Sequence, residues 1–154
     1  NDLFDQIVNS LMKKVKEFHY TIKGYDKAPS AVSKAKDNIR NANLEDYVSI
    51  AEENFFDTEK NSQGKLHLVF NPPYDERLDI HMEEFYKNIG DTLKKSYPGT
   101  NAWFITANLE ALKFVGLKPS RKIKLFNASL EARLVKYEMY EGSKRTKFQV
   151  ADKN

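Results

Sequence analysis

The feature that most constrains the fold of this chain is a pair of prolines, Pro72 and Pro73, directly after the apolar run Leu66–Phe70. A short run of β-branched and aromatic residues that ends in a turn is typical of a buried strand. Because proline has no N–H to donate and a restricted φ, the strand must end there. The carbonyls of Asn71 and Pro72 are therefore predicted to point out of the strand end as rigid acceptors, beside the ring of Tyr74.

The segment Asn71–Tyr74, which we call the corner, has two interpretations, one chemical and one purely structural. Two rigid acceptors next to an aromatic ring suit a flat substrate that carries an exocyclic NH2 group, and reactive sites of open α/β sheets lie at the carboxyl ends of strands. The structural interpretation is an ordinary strand-ending turn, since asparagine and proline both favour turns. Four residues alone do not decide between the two.

Composition narrows the class of protein. A chain of 154 residues with 40% hydrophobic and 31% charged residues predicts one domain of a soluble globular protein. It has no cysteine, which excludes disulfides and thiolate metal sites and fits a reducing cytoplasmic setting. No apolar run approaches the roughly 20 residues of a membrane span. His19, His67 and His81 lack ligand spacing, so we expect no metal site, and the net charge of +3 permits a nucleic-acid partner without demanding one.

Apolar spacing divides the chain into alternating helices and strands. Helical periodicity predicts helices, and short apolar runs between turn residues predict strands. In chain order the predicted elements are a helix at 4–16, a strand at 19–22, a helix at 29–42, strands at 47–51 and 66–70, a helix at 80–97, a strand at 102–106, a short helix at 109–115 closed by Gly116, and strands at 121–126 and 130–140.

The turn Asn127-Ala128-Ser129 determines how the last two strands pair. Three residues cannot form a crossover, so these strands must make an antiparallel hairpin. The whole order predicts an α/β fold with a largely parallel sheet and an antiparallel end.

None of the six glycines lies in a glycine-rich phosphate loop. A polar segment follows, so we expect a domain at 1–140 and a polar tail at 141–154.

The corner belongs to a longer pattern, Asn71-Pro72-Pro73-Tyr74 followed by Glu76-Arg77-Leu78. It resembles the Asn-Pro-Pro-Tyr-Gly-Glu-Arg-Leu signature of the THUMP-associated RNA guanine-N2 methyltransferases, the bacterial large-subunit ribosomal RNA type. The resemblance continues over Gly24-Tyr25-Asp26, the strand Trp103-Phe104-Ile105-Thr106 and the terminal hairpin. It implies a Rossmann-like class I methyltransferase fold that uses S-adenosylmethionine.

The resemblance also implies which residues bind the cofactor. Asp26 matches the acid that accepts hydrogen bonds from the cofactor ribose, a role that suits a carboxylate. An aspartate that caps the following helix is the alternative interpretation. Asn54 lies where the family usually has an aspartate that binds the adenine amino group, and Phe55 is expected to flank the adenine or to pack in the core. Asn71 is expected to lie next to the cofactor as well as the substrate.

The catalytic loop implied by the resemblance is Asn71 to Tyr74. The side-chain oxygen of Asn71 and the carbonyl of Pro72 would accept from the amino group of a guanine taken out of the base stack, and Tyr74 would stack on the base. The sequence departs from the family at Asp75, where glycine is usual, and at Ala128, where Asn-Gly is usual.

The family has a first strand and a glycine-rich cofactor loop before the segment that begins at residue 4 here. It places that strand between the strands at 19–22 and 66–70, and a THUMP domain precedes it. We therefore expect this chain to be the C-terminal part of a methyltransferase that lacks the first strand and the glycine-rich loop. Alone it should bind S-adenosylmethionine weakly or not at all.

Three alternatives remain at this point. Planar NH2 groups share this loop, so the substrate could be adenine N6 in DNA or a glutamine amide of a protein. An inactive binding or scaffold fragment is a third possibility.

A group of basic residues near the end of the chain has two interpretations. It could form a basic rim for phosphate contacts or a solvated strand edge that lysines protect. The group consists of Ser120, Arg121, Lys122, Lys124, Lys144, Arg145 and Lys147.

Overall fold

The structure is a computed structural model that describes residues 2–73, 80–127 and 129–141, with the side chains of residues 80 and 127 not described. The chain forms two compact units, residues 1–55 and 56–154. The helices are α1 (Asp2–Met12), α2 (Pro29–Asn41) and α3 (Ile80–Ser96), and the strands are β1 (Ile22–Asp26), β2 (Val48–Glu52), β3 (Leu66–Phe70), β4 (Thr100–Thr106), β5 (Arg121–Asn127) and β6 (Leu130–Glu138). Among the described helices, none has the length and apolar character needed to cross a membrane.

In the first unit, β1 and β2 pair in parallel, from Ile22 opposite Val48 to Asp26 opposite Glu52, and α2 connects them. Pro29 begins α2, where a missing N–H costs nothing and the restricted φ suits a helix. The predicted strand at 19–22 is wrong in position, because β1 begins at Ile22 and includes Gly24. Parallel pairing with β2 overrides the poor strand propensity of glycine and aspartate.

The second unit contains a four-stranded sheet in the order β3-β4-β6-β5. β3 and β4 are parallel, whereas β6 is antiparallel to both β4 and β5. The predicted hairpin is therefore confirmed, as is the α/β class with a parallel part and an antiparallel end. The predicted short helix at 109–115 is a 3-10 turn, Ala111–Val115, which ends at Gly116 with φ 64°. Glycine adopts this left-handed conformation without strain.

The core of the second unit lies between one face of the sheet and α3. Tyr86, Ile89 and Leu93 of α3 are fully buried, as are Phe104 of β4 and Tyr137 of β6. The Phe104 and Tyr137 rings stack with centroids 5.6 Å apart. Aromatic rings bury a large apolar area each, so this stack supplies much of the packing on the buried face of the sheet, and the Tyr86 ring of α3 contacts it through Phe104 with centroids 6.3 Å apart.

A glycine allows α3 to approach the 3-10 turn. An added Cβ at Gly90 would lie 1.8 Å from the carbonyl oxygen of Val115. No side chain fits at that distance, so the helix and the turn meet backbone to backbone. This contact positions the segment that leads from β4 to β5.

Candidate active site

The predicted corner lies at the carboxyl end of β3 in the second unit. β3 ends at Phe70, whose ring contacts Phe104 of β4 with centroids 5.0 Å apart. Asn71 and Pro73 are exposed, and Pro72 between them is buried. A buried proline with a restricted φ holds the backbone here, and the asparagine beside it is accessible to a ligand. Tyr74, Asp75 and the Glu76-Arg77-Leu78 extension lie outside the described residues.

The end of β4 lies next to this corner because β3 and β4 are parallel and their carboxyl ends share one edge of the sheet. Buried polar groups form a series of hydrogen bonds at the carboxyl end of β4. The hydroxyl of Tyr86 bonds to Thr106 Oγ1, which also accepts from the backbone N–H of Asn108 at 3.0 Å. Asn108 Oδ1 in turn accepts from the N–H of Ala111 at 3.0 Å. These bonds hold the loop after β4 in one conformation, and sequence reasoning missed them although an asparagine after a strand is a signal for such turns.

The tip of the hairpin reaches the same edge of the sheet. Thr106 of β4 lies opposite Arg133 of β6, so residues of β6 that precede Arg133 extend beyond the end of β4. There the carboxylate of Glu131 bonds to Lys124 at 2.5 Å and to Arg133 at 2.6 Å. The hydrogen bond from Lys124, followed by that from Arg133, lowers the pKa of Glu131. The carboxylate is thus held ionised between two cations.

The predicted cofactor residues lie in the first unit. Asp26 is the last residue of β1, and its carbonyl accepts from the N–H of Glu53 at 3.0 Å, directly after β2. Asn54 follows, so the exposed side chains of Asp26 and Asn54 belong to the same end of a parallel strand pair. Phe55, half-buried, begins the 3-10 turn Phe55–Asp57. The structure thus brings these three predicted residues to one sheet edge.

The alternative interpretation, that Asp26 caps the following helix, is wrong, because the N-cap of α2 is Ala28 and no side chain makes a capping bond there. The carboxylate of Asp26 closes a local turn instead. Its Oδ1 accepts from the N–H of Ala28 at 2.8 Å, just before α2. A carboxylate has about four lone-pair positions, so this bond leaves capacity for ribose hydroxyls. The acceptor oxygens of Asp26 and Asn54 therefore fit a ligand whose donors are a diol and an amino group. Asn71 and Pro72 belong to the other unit, so each half of the predicted site is described within its own unit.

A βαβ unit and a mixed sheet with an Asn-Pro-Pro corner at a strand end are the architecture of Rossmann-like methyltransferases. The chain matches the UPF0020 family, described as an RMKL-like methyltransferase domain, over residues 3–136. The chain belongs to this family, which confirms the predicted resemblance and fold class.

Curated relatives support the same family. The chain is 32% identical over 124 residues to ribosomal RNA large subunit methyltransferase K/L of Syntrophotalea carbinolica, covering 77% of this chain and 17% of the relative. It is 33% identical over 120 residues to the K/L enzyme of Methylococcus capsulatus, covering 77% and 16%. The chain thus spans about a sixth of the length of these curated relatives.

Solved structures share the fold. SMU.472, crystallised in complex with SAH, superposes with a TM-score of 0.81 at 25% identity, covering 93% of this chain and 38% of that one. An RNA methyltransferase from Salinibacter ruber, in complex with S-adenosyl-L-homocysteine, superposes with a TM-score of 0.52 at 16% identity, covering 79% and 67%. The second likeness shows the fold alone.

Within the described residues, no group of three or more histidine, cysteine, aspartate or glutamate side chains is placed to hold a metal ion.

Proposed function

We propose that the protein containing this chain transfers a methyl group from S-adenosylmethionine to an exocyclic amino group of an RNA base, with guanine N2 of large-subunit ribosomal RNA as the target. The family and the K/L relatives support methyl transfer to ribosomal RNA, and the SAH complex of SMU.472 supports the cofactor. The observation that carries the proposal is the exposed Asn71 next to the buried Pro72, at the carboxyl edge of the sheet. The cytoplasm, where ribosomes are made in bacteria, is the corresponding location.

Two acceptors of the corner would hold the substrate amino group. The side-chain oxygen of Asn71 and the carbonyl of Pro72 each accept one N–H, which directs the nitrogen lone pair away from the corner. As nitrogen gains positive charge during methylation, both oxygens stabilise it. The proton then leaves to solvent, so no strong general base is needed. Pro73 keeps the corner rigid, and Tyr74 is the expected stacking partner of the base.

The cofactor would be held by residues of the first unit. S-adenosylmethionine supplies an electrophilic methyl group when it is bound. Asp26 accepts from the ribose hydroxyls, Asn54 accepts from the adenine amino group through its amide oxygen, and Phe55 lies against the adenine. Asn71, in the second unit, is a further residue that we expect to contact the cofactor. The exposure of Asp26 and Asn54 supports this assignment.

The first strand and the glycine-rich loop of the family belong, in this proposal, to a preceding segment of the same protein. The chain spans only 17% of the Syntrophotalea relative, which supports a longer protein. We therefore expect no micromolar binding of S-adenosylmethionine by the 154-residue chain in isothermal titration. Micromolar binding by this chain would contradict this part of the proposal.

The decisive experiment measures methyl transfer by the complete protein to stripped ribosomal RNA, to DNA and to a release factor. Loss of a preorganised hydrogen-bonding group typically lowers kcat by about 100-fold or more, so we expect that from Asn71→Ala. Asn61→Ala, in an exposed loop before β3, is the matched control and should retain activity.

Each outcome of this assay has a meaning. Transfer to DNA or to the release factor instead of RNA would replace the proposed substrate. No transfer to any of them would favour a binding or scaffold role. Equal activity of Asn71→Ala and Asn61→Ala would remove the corner from the mechanism.

A further inference from the structure

One face of the edge strand β5 presents a row of cations that ends in an aromatic ring. Successive side chains of a strand point to opposite faces, so Lys122, Lys124 and Phe126 share one face, and Arg121 lies on the other. All four of these residues are exposed. Arg133 of β6 lies opposite Lys124 and joins the same face. We call Lys122, Lys124, Phe126 and Arg133 the hairpin row.

The hairpin row runs toward the edge of the sheet where Asn71 lies. Lys124 and Arg133 are level with Thr106, the last residue of β4. Phe126 is two residues further along, roughly 7 Å beyond the end of β4 at the usual rise per residue. β5 is three strand spacings from β3, about 14 Å. The ring therefore lies on the same edge as the corner but at least about 14 Å from it, a separation that suits a base some nucleotides away from the target base rather than the target base itself.

The phenylalanine is exposed but positioned. Its side chain is 64% exposed, and the Lys124 Nζ lies 5.0 Å from its ring centroid. Lys124 is itself bonded to Glu131, which Arg133 holds from the other side. A cation over one face of a ring and an ion-pair network behind it limit the ring's rotamers. Such a ring is a preformed stacking surface.

The charge of this region favours an anionic partner. The hairpin row contributes three cations against the single carboxylate of Glu131. Lys122 and Arg133 also line a groove of about 550 Å³ between the hairpin and the 3-10 turn, together with Lys118 and with Lys113, which is ion-paired with Glu110. Lysines often protect sheet edges, which would account for Lys122 and Lys124 but leaves the exposed phenylalanine between them and the tip unexplained.

We infer that the hairpin row binds the RNA strand that flanks the target nucleotide, with Phe126 stacked on an unpaired base of that strand and Lys122, Lys124 and Arg133 facing its phosphates. Aromatic stacking next to a basic row is the chemistry by which proteins hold single-stranded nucleic acid. The inference rests on the proposed function, because it requires an RNA substrate. Of the predicted basic rim, Lys144, Arg145 and Lys147 lie outside the described residues. The inference divides the β5 part of that rim into two faces, of which only the one with Lys122 and Lys124 takes part.

The first test is the affinity of the complete protein for a single-stranded RNA containing the target sequence, measured by fluorescence anisotropy. Phe126→Ala should weaken binding by about 5- to 150-fold, the usual range for one stacked base. Phe126→Tyr should bind as the wild type does, because it keeps a ring. A thermal melt of each variant excludes unfolding as the cause, and the tyrosine variant retains the test if the alanine variant fails to fold.

The second test uses the two faces of β5. Lys122→Gln should reduce the slope of log affinity against log salt by about 0.7, the value for one phosphate contact of a single strand. Arg121→Gln, on the opposite face, is the matched control and should leave the slope unchanged.

Two outcomes separate this inference from the proposed function. If the wild type methylates RNA but Phe126→Ala binds RNA equally well, the inference is wrong and the proposed function stands. If the wild type neither binds nor methylates RNA, the inference and the proposed function are both wrong. The inference would also be overturned if Phe126→Ala lost more affinity for duplex DNA than for single-stranded RNA, each relative to the wild type.

Discussion

The two units of this chain differ most in how much they bury. Of the twelve buried apolar residues in the described part of the chain, eleven lie in the second unit, and Val32 alone lies in the first. The first unit has a two-stranded sheet, which is rarely stable without further packing, whereas the second has four strands under a helix. The corner therefore rests on a well-packed core, and the predicted cofactor residues rest on a unit that buries little of its own. The following predictions test this difference.

The largest effect is expected at a glycine of the second unit, with a glycine of the first unit as its comparison. Gly90→Ala places a Cβ 1.8 Å from a backbone oxygen, whereas Gly24→Ala meets its nearest atom at 3.6 Å. Overpacking usually costs about 1–3 kcal/mol, and a backbone neighbour cannot move aside, so we expect Gly90→Ala to cost upward of about 4 kcal/mol. Gly24→Ala should be neutral or slightly stabilising. Urea unfolding measures both, and equal midpoints would refute the backbone contact.

A matched pair of leucines tests the core directly. Leu93→Ala removes a fully buried side chain of α3 and should cost about 3 kcal/mol, whereas Leu3 of α1 is 67% exposed and Leu3→Ala should change stability by less than about 0.5 kcal/mol. Thermal unfolding of the chain measures both. A large loss for Leu3→Ala only in a longer protein that carries this chain would show that another segment covers α1.

A buried tyrosine of the second unit should make stability depend on alkaline pH. Burial, and to a smaller extent the nearby Tyr86, raises the pKa of Tyr137 from 10.0 to about 12. The unfolded chain loses this proton near pH 10 and the folded chain near pH 12, so the stability from Tyr137 is complete below pH 10 and falls as the pH rises to 12. The expected loss is about 2–3 kcal/mol.

Tyr137→Phe is the control for this effect. Within the described residues the hydroxyl of Tyr137 has no hydrogen-bond partner, so its removal should be neutral or stabilising at pH 7. The difference in unfolding free energy between wild type and Tyr137→Phe should change between pH 10 and 12. A constant difference over that range would show that the hydroxyl is not buried.

The smallest effect separates a structural role from a binding role in the first unit. Asp26→Ala removes the acceptor of the Ala28 N–H and should cost about 1 kcal/mol or less at this exposed position, whereas Asp26→Asn keeps an acceptor and should cost less. If the carboxylate binds ribose, both variants should weaken S-adenosylmethionine binding by the complete protein. Full binding by Asp26→Asn would limit the residue to its local turn with Ala28.

Sequence reasoning located most of the second unit correctly. The strand Leu66–Phe70 and the start of α3 agree with the structure, because the prolines and the apolar periodicity are local signals. The hairpin agrees because a three-residue turn allows no other pairing. In the first unit the same reasoning placed β1 too early, since its position depends on pairing with a strand 26 residues further along the chain.

The positions of the candidate site residues could be predicted in part for the same reason, whereas their roles stay predictions. The corner and Asp26 follow from motifs that are contiguous in sequence. The Thr106–Asn108 bonds, the ion pairs of Glu131 and the ring of Phe126 depend on cross-strand register, which composition and spacing do not reveal. Tyr74 and the Glu76-Arg77-Leu78 extension keep their predicted roles as predictions.

The amino-acid sequence by itself determined where the Asn-Pro-Pro corner lies, because two prolines end a strand wherever they occur. It also determined the hairpin, through the length of one turn. Only the tertiary structure decided that Lys122, Lys124 and Phe126 share a face with Arg133 at the edge of the corner, and that Gly90 lets a helix touch the 3-10 turn. Those contacts join residues far apart in the chain, and their geometry depends on strand pairing and packing rather than on local preference.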